Sequence, residues 1–438
     1  MARIYKNFLF NFFKGDTPLL LLAASGIFFR IVASLFFVHS DITFVHYFPS
    51  KFLSEGVIDI YSYIKANLSG IEGLCYYPPL TYFFLGLSQV VFNPLNAGFS
   101  AFIENVYKND IISYLVHYGA SLEYYRYIFF MKIPYFIFDV SCLAIIMKYI
   151  EDRDLKIKAL KLWLINPVLL YGVYMFGQVD IMAAFTVALG IFLMKQQKIR
   201  QGFFVLSLAV LFKTFPIFII PPVFIYATRS KKDFFKNLIA IITPIILIFI
   251  PLYISSGGYV INSVFPKFYA EDTGIFSGTI LQKIIFIFFY GIIIWNSFKR
   301  RGDKSISYDY ILKISLACVL LSYILFFTPV HYFVWAIPLL VIVVSLGILK
   351  KRIYWILIIL LFIYNLNSPL TTTHLFAPLN PIFFSHLAGL PDIMREFLHV
   401  KWGYVMLVAR LGFMVVAVVT ALSLSCGVFG FMEKKRDK

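Results

Sequence analysis

The chain has 438 residues, of which 61% are hydrophobic and 14% charged, and its mean hydropathy is +0.83. A soluble domain averages about 45–50% apolar and about 25% charged residues, so this composition excludes a cytosolic enzyme, a secreted domain and a disordered chain. It predicts an all-α, polytopic transmembrane helical bundle. The net charge of +17 does not indicate nucleic acid, because the Lys and Arg residues fall in short clusters between apolar runs. Cys142, Cys318 and Cys426 lie inside apolar stretches and Cys75 stands alone, which marks neither a disulfide framework nor a Cys-based zinc site.

Taken in chain order, apolar runs predict spans at roughly 17–38, 127–149, 160–176, 179–194, 202–213, 215–228, 236–254, 280–298, 310–327, 332–349, 353–366 and 403–427. The first run is long enough to span, so it does not read as a cleavable signal. About twelve spans put both termini on one side. With that side cytoplasmic, 26 of the 39 Lys and Arg flank the cytoplasmic helix ends, which supports cytoplasmic termini.

Three external segments remain, at 39–126, about 255–279 and 367–402. The first contains an apolar run at 78–94 with Pro at both ends. As a full crossing it would place the basic stretch 148–161 outside, so it reads as a re-entrant or interfacial helix. External carboxylates, Asp41 and Asp180 among them, gather on the outer face, and the chemistry is expected there. The sequon Asn67-Leu68-Ser69 also lies outside.

Ionisable groups at membrane depth are costly and rarely idle. Lys132 and Asp139, seven residues apart, share a helix face and read as a structural pair. Arg30 and Arg410 have three readings: a partner for Asp139, a lipid-phosphate ligand, or a snorkelling side chain. Lys213 sits in LFKTFP, where Pro216 breaks the helix; it suits a phosphate or simply marks a turn. In MFGQVDIMAAF, Asp180 reads either as a helix cap or, with Gln178, as a ligand for sugar hydroxyls. Asp41, just past the first span, is either a solvated acid or a general base at the lipid–water boundary. His39 and His46 flank it, which leaves a divalent metal open without supplying a full ligand pattern. His331, in TPVHYFVWAIP, marks another outer corner and suits phosphate oxygens.

Four stretches together resemble the GT-C class of integral-membrane glycosyltransferases. They are SDITFVHYFPSKFLSEGVIDIYSY with YYPPL, KIPYFIFDV, WLINPVLLYGVYMFGQVDIMAAF and LAVLFKTFPIFIIPP, with HYFVWAIP as a weaker echo. Within the class the pattern is similar to archaeal and bacterial relatives of the GPI-anchor mannosyltransferases. The resemblance covers about residues 39–222. It implies one GT-C-like transmembrane domain over 1–438 and a polyprenyl- or dolichyl-phosphate sugar donor. It further implies a glycan or lipid-linked acceptor and inverting transfer of a sugar, mannose by the subfamily. By position it makes Asp41 the catalytic base, and Asp180 with Gln178 substrate ligands. Lys213 and His331 would then contact the lipid phosphate, with Tyr77 offering a face to the sugar. Many relatives carry two neighbouring acids in the first loop, whereas Ser40 and Ile42 flank Asp41 here. The competing expectations are a transporter or flippase for a lipid-linked or small polar substrate, and a non-catalytic membrane scaffold.

Overall fold

The computed structural model describes residues 17–67, 77–264, 279–301, 303, 305–325, 328–399 and 401–426. Ser69 of the sequon, Cys75, Tyr76, most of the second external segment and the terminal basic clusters lie outside the described residues. Every regular element among the described residues is helical. Five helices are long and apolar enough to cross a bilayer: α1 (Thr17–Phe36), Leu122–Tyr149, Lys231–Ser255, Ile280–Arg300 and Trp402–Cys426. The other expected spans form shorter helices, such as Ile337–Ser345 with nine residues, all buried. A helix of nine residues rises only about 14 Å, well short of the roughly 30 Å hydrocarbon core.

Between α1 and the next crossing helix, the chain folds into α2 (Asp41–Glu55), α3 (Ile60–Asn67), α4 (Pro79–Phe92), α5 (Phe99–Asn109) and α6 (Ile111–Tyr118). This segment builds its own apolar core from residues including Phe48, Tyr61, Tyr82, Phe102 and Leu115. Tyr47 and Tyr107 stack at 3.6 Å, and Lys51 bridges Glu55 at 3.0 Å and Glu104 at 3.2 Å. The 78–94 run becomes the 14-residue α4. One of its faces is buried, and Phe83, Leu87 and Val91 remain exposed on the other. Thr81 donates from Oγ1 to the carbonyl of Phe212 at 2.6 Å, which docks α4 on the bundle.

The remaining elements in order are α7 (Leu122–Tyr149), α8 (Arg153–Leu164), a π-helical turn at Leu170–Met175, α9 (Asp180–Lys195) and α10 (Ile199–Phe212). They are followed by α11 (Ile220–Ala227), α12 (Lys231–Ser255), α13 (Ile280–Arg300), α14 (Tyr308–Ser322) and a 3-10 turn at Val330–Trp335. Next come α15 (Ile337–Ser345), α16 (Lys351–Asn365), α17 (Leu390–Leu398) and α18 (Trp402–Cys426). α9 and α10 pack closely because Gly190 and Gly202 face one another's backbones: a Cβ on Gly190 would sit 3.1 Å from the Gly202 carbonyl oxygen. α12 is mostly exposed along its length, with Phe235, Ile239, Leu247 and Ile254 turned outward, as expected of a lipid-facing helix.

The expected pairing of Lys132 with Asp139 does not form. Two helical turns separate the two Cα atoms by about 10.5 Å, too far for direct contact. Both side chains do share a face of α7, and both reach α1. Asp139 takes Arg30 Nε at 2.6 Å, and Lys132 Nζ donates to the carbonyls of Ser34 (3.1 Å) and Phe37 (2.7 Å). Lys132 thus satisfies carbonyls that the end of α1 leaves without helical partners. Asp139 also accepts from Trp163 Nε1 (2.6 Å) and Tyr174 Oη (2.5 Å). The Arg30 guanidinium also donates to the carbonyls of Gly26, Leu164 and Trp163.

Removing one partner of a buried ion pair costs about 3–5 kcal/mol, because the other charge is left uncompensated. Asp139→Ala is therefore expected to destabilise the detergent-solubilised protein by about that amount. Pairing Asp139→Leu with Arg30→Met should recover most of the loss, read as thermal unfolding.

Candidate functional site

Of the side chains singled out from the sequence, Asp41, Tyr77, Gln178, Asp180, Lys213 and His331 lie together at one end of the bundle. Asp41 begins α2, immediately after α1, so its position follows from where the first crossing ends. Asp180 begins α9, and Lys213 follows the last residue of α10, in extended backbone at φ −156° and ψ 145°. Because α9 and α10 run antiparallel, the start of one lies beside the end of the other. Lys213 Nζ is 3.4 Å from Asp180 Oδ1.

Gln178 connects the pieces. Its Nε2 donates to Asp41 Oδ2 at 2.8 Å, and its Oε1 accepts from Tyr77 Oη at 2.9 Å. The opposite amide orientation would set Oε1 against a carboxylate, so this one is chemically required. A sharp corner presents the amide: Gly177 has φ +79°, and a Cβ there would lie 2.7 Å from Ile42 Cδ1. The π-helical turn leads into that corner, and the Gln178 amide N–H donates to the Gly172 carbonyl at 3.2 Å.

Asp180 does not cap its own helix. Val179 occupies the capping position with no side-chain hydrogen bond, and the Asp180 carboxylate turns inward, fully buried. Its Oδ1 accepts from Trp335 Nε1 at 2.5 Å, and its Oδ2 has no hydrogen-bond partner among the described residues. A buried carboxylate must be paired, and here the partners come from distant elements rather than from the local helix end. Lys213 lies 4.6 Å from the ring centre of Tyr77 and 5.0 Å from that of Tyr332, so two aromatic faces flank the ammonium.

Asp41 differs in being accessible: its side chain is 43% exposed. Burial raises its carboxyl, but the hydrogen bond and charge of His39, then His331 and Gln178, outweigh it, and the carboxyl sits below its usual range. In the neutral imidazole His39 Nδ1 accepts instead from the Asp41 backbone N–H, at 3.1 Å, and it donates to the carboxylate only when protonated. Burial pushes His331 down to about 4; Lys213 and His39 push the same way, against the pull of Asp180 and Asp41. His331 is therefore neutral at pH 7, a hydrogen-bonding group rather than a cation. Its Nδ1 has no partner among the described residues.

Phe176 lies between the two imidazoles, 3.6 Å from His39 and 5.0 Å from His331. His46 is turned elsewhere, to Tyr135 Oη at 2.8 Å and Gln89 Nε2 at 3.1 Å. Five residues along a helix rotate a side chain by about 140°, so His46 does not share the direction of Asp41. The two-histidine arrangement around Asp41 does not form. Among the described residues no group of three His, Cys, Asp or Glu side chains has the geometry to hold a metal.

Trp335, Tyr332 and Phe176 are site residues that the sequence pattern did not mark out. Two of them stand inside HYFVWAIP, so that run carried the signal, but nothing in it assigns Trp335 to Asp180. No family model, curated protein sequence or solved structure matches this chain.

A Cβ on Gly172 would lie 2.9 Å from His331 Cα, a backbone atom with no rotamer to yield. Gly172→Ala is expected to cost about 1–3 kcal/mol through overpacking. Gly403→Ala meets nothing within 4 Å and is expected to leave the unfolding temperature unchanged or slightly higher.

Proposed function

We propose that this chain is an integral-membrane glycosyltransferase that moves a sugar, mannose by expectation, from a polyprenyl- or dolichyl-phosphate carrier to a glycan or lipid-linked acceptor. The observation that carries the reading is the cluster of polar side chains at one end of the bundle. An accessible carboxylate of lowered pKa stands beside a nearly buried ammonium, joined through Gln178 and Tyr77. That combination suits a reaction in which one group takes a proton while an anion departs nearby.

In this reading the acceptor hydroxyl oxygen attacks the anomeric carbon from the face opposite the phosphate. Its proton passes to Asp41, and the bond from the anomeric carbon to the phosphate oxygen breaks, with the electron pair leaving on the phosphate. Configuration inverts in this single displacement. Gln178 holds Asp41 through Oδ2, which leaves Oδ1, 3.4 Å from His39 Nδ1, to take the acceptor proton. Lys213 stabilises the negative charge that grows on the departing phosphate, and neutral His331 donates a hydrogen bond to it. Asp180 holds Lys213 in the cluster before the donor arrives. Asp41 and the neighbouring His39 nitrogen are two donors for a divalent ion, and no step here is routed through one.

The proposed topology has about twelve crossings, with short helices completing the path in tandem inside the protein, where lipid does not reach their ends. Both termini are proposed to be cytoplasmic, with the polar cluster at the external or luminal face of a plasma or endoplasmic-reticulum membrane. Residues 39–126 would then lie outside.

Asp41→Asn is expected to lower sugar transfer from polyprenyl-phosphate mannose by about 10²–10⁴ while the protein still inserts and folds. Unimpaired transfer by that variant would overturn the assignment. Asp180→Ala should lose more activity per folded molecule than Asp139→Ala; equal losses would make both acids merely structural.

The pH profile adds a third check. A base with a lowered pKa stays ionised as the pH falls, so activity should persist into the ordinary carboxylate range and fail only below it. Gln178→Leu removes one stabilising bond to the ionised form and should move that acid limb upward. An unmoved limb would separate Asp41 from the proton-transfer step.

A further inference from the structure

A second site lies at the far end of the same two helices. A cavity of about 500 Å³ opens where α9 turns into α10 and α11 into α12. α10 alone, at 14 residues, puts its start about 21 Å from Lys213 at its end. The cavity is lined by Lys198, Arg200 and Arg229, with Asp233 as the one acid among the lining residues. Asp233, whose carboxylate accepts from Ser230 Oγ at 2.7 Å within its own helix cap, sets one negative charge against three positive ones.

The backbone that carries Lys198 and Arg200 is fixed by a tight turn. Gln197 adopts φ +62°, an uncommon conformation for a residue with a side chain, and the turn it makes closes with Lys198 N–H on the Leu193 carbonyl at 2.9 Å. α10 then starts with no side-chain cap, leaving its first N–H groups without a local acceptor. Arg229 donates through Nη1 to the Asp303 carbonyl. Its Nε and Nη2 are shielded from solvent and have no hydrogen-bond partner among the described residues. A guanidinium with two buried, unused donors lacks an acceptor, and a charged group left in that condition is costly.

We propose that this cavity binds a phosphate-bearing anion. A tetrahedral anion with several acceptor oxygens meets the unused fork of Arg229, the ammonium of Lys198 and the second guanidinium of Arg200 together, which a single carboxylate does not. A phospholipid headgroup and free phosphate share this chemistry. The site is separate from the cluster around Asp41 and does not depend on the reaction assigned there.

The test uses the purified full chain in two arms. Sodium phosphate is titrated calorimetrically, and phosphatidylglycerol against phosphatidylcholine retained by the chain is scored by native mass spectrometry. Binding is expected in at least one arm, weakened about tenfold or more by R229Q through loss of a charge-assisted bond. K198Q/R200Q, which alters only exposed side chains, should weaken it similarly and so covers the case in which R229Q misfolds. K351Q/R352Q removes the same number of exposed charges elsewhere and should change nothing. Binding of phosphate shows that a small anion suffices; retention of phosphatidylglycerol alone assigns the site to a lipid headgroup. Absence of binding in both arms, or an equal loss in K351Q/R352Q, overturns the proposal.

Discussion

A charge in an apolar interior survives only if it is paired and hydrogen-bonded, and Asp139 is the point where this chain meets that demand. Three elements distant in sequence supply its partners: Arg30 from α1, Trp163 from α8 and Tyr174 from the π-helical turn. Losing any of them leaves a buried carboxylate short of a donor. The arrangement holds α1 and α7 antiparallel in one register, with Arg30 level with Asp139 and Ser34 to Phe37 level with Lys132. Asp41 begins the helix that follows α1, and Gln178 follows the π-helical turn. The same ion pair therefore sets the relative position of two residues 137 apart in sequence.

The contrast with Asp180 is informative. Both acids are buried, yet Asp139 has each oxygen satisfied, while Asp180 has one oxygen on Trp335 and near Lys213 and the other on nothing among the described residues. A complete network fits a structural role, since adding a ligand would break bonds already made. An incomplete one, with a cation at its edge and a neutral histidine nearby, retains capacity for something that arrives. The same asymmetry distinguishes Arg30, each of whose three nitrogens donates, from Arg229, where Nε and Nη2 have no partner among the described residues.

Much of the polar cluster is legible in the amino-acid sequence. Asp41, Tyr77, Gln178, Asp180, Lys213 and His331 stand out there as polar groups at helix ends or in short motifs, and they lie together in the fold. Polar residues at the ends of apolar runs gather at the bundle's rims whatever the packing, which is why position along the chain is informative. Partner choice is not legible. Asp180 ignores its own helix end, His46 turns to Tyr135, and Lys132 turns to carbonyls of α1 rather than to Asp139. Local spacing says which way a side chain faces along its helix and nothing about which helix stands opposite.

The residue pattern by itself determined that the chain is helical and belongs in lipid, because 61% apolar residues in long runs leave the backbone no other way to satisfy its hydrogen bonds there. It also determined where those runs stop, and so which polar groups sit at their ends. Packing alone decided that several runs fold as short buried helices, and that the segment between α1 and α7 carries its own core. It also decided that carboxylates meet cations more than a hundred residues away. Those outcomes depend on close approach between surfaces that are contiguous only in the folded chain, at places such as Gly172 against His331, where one missing Cβ makes the fit.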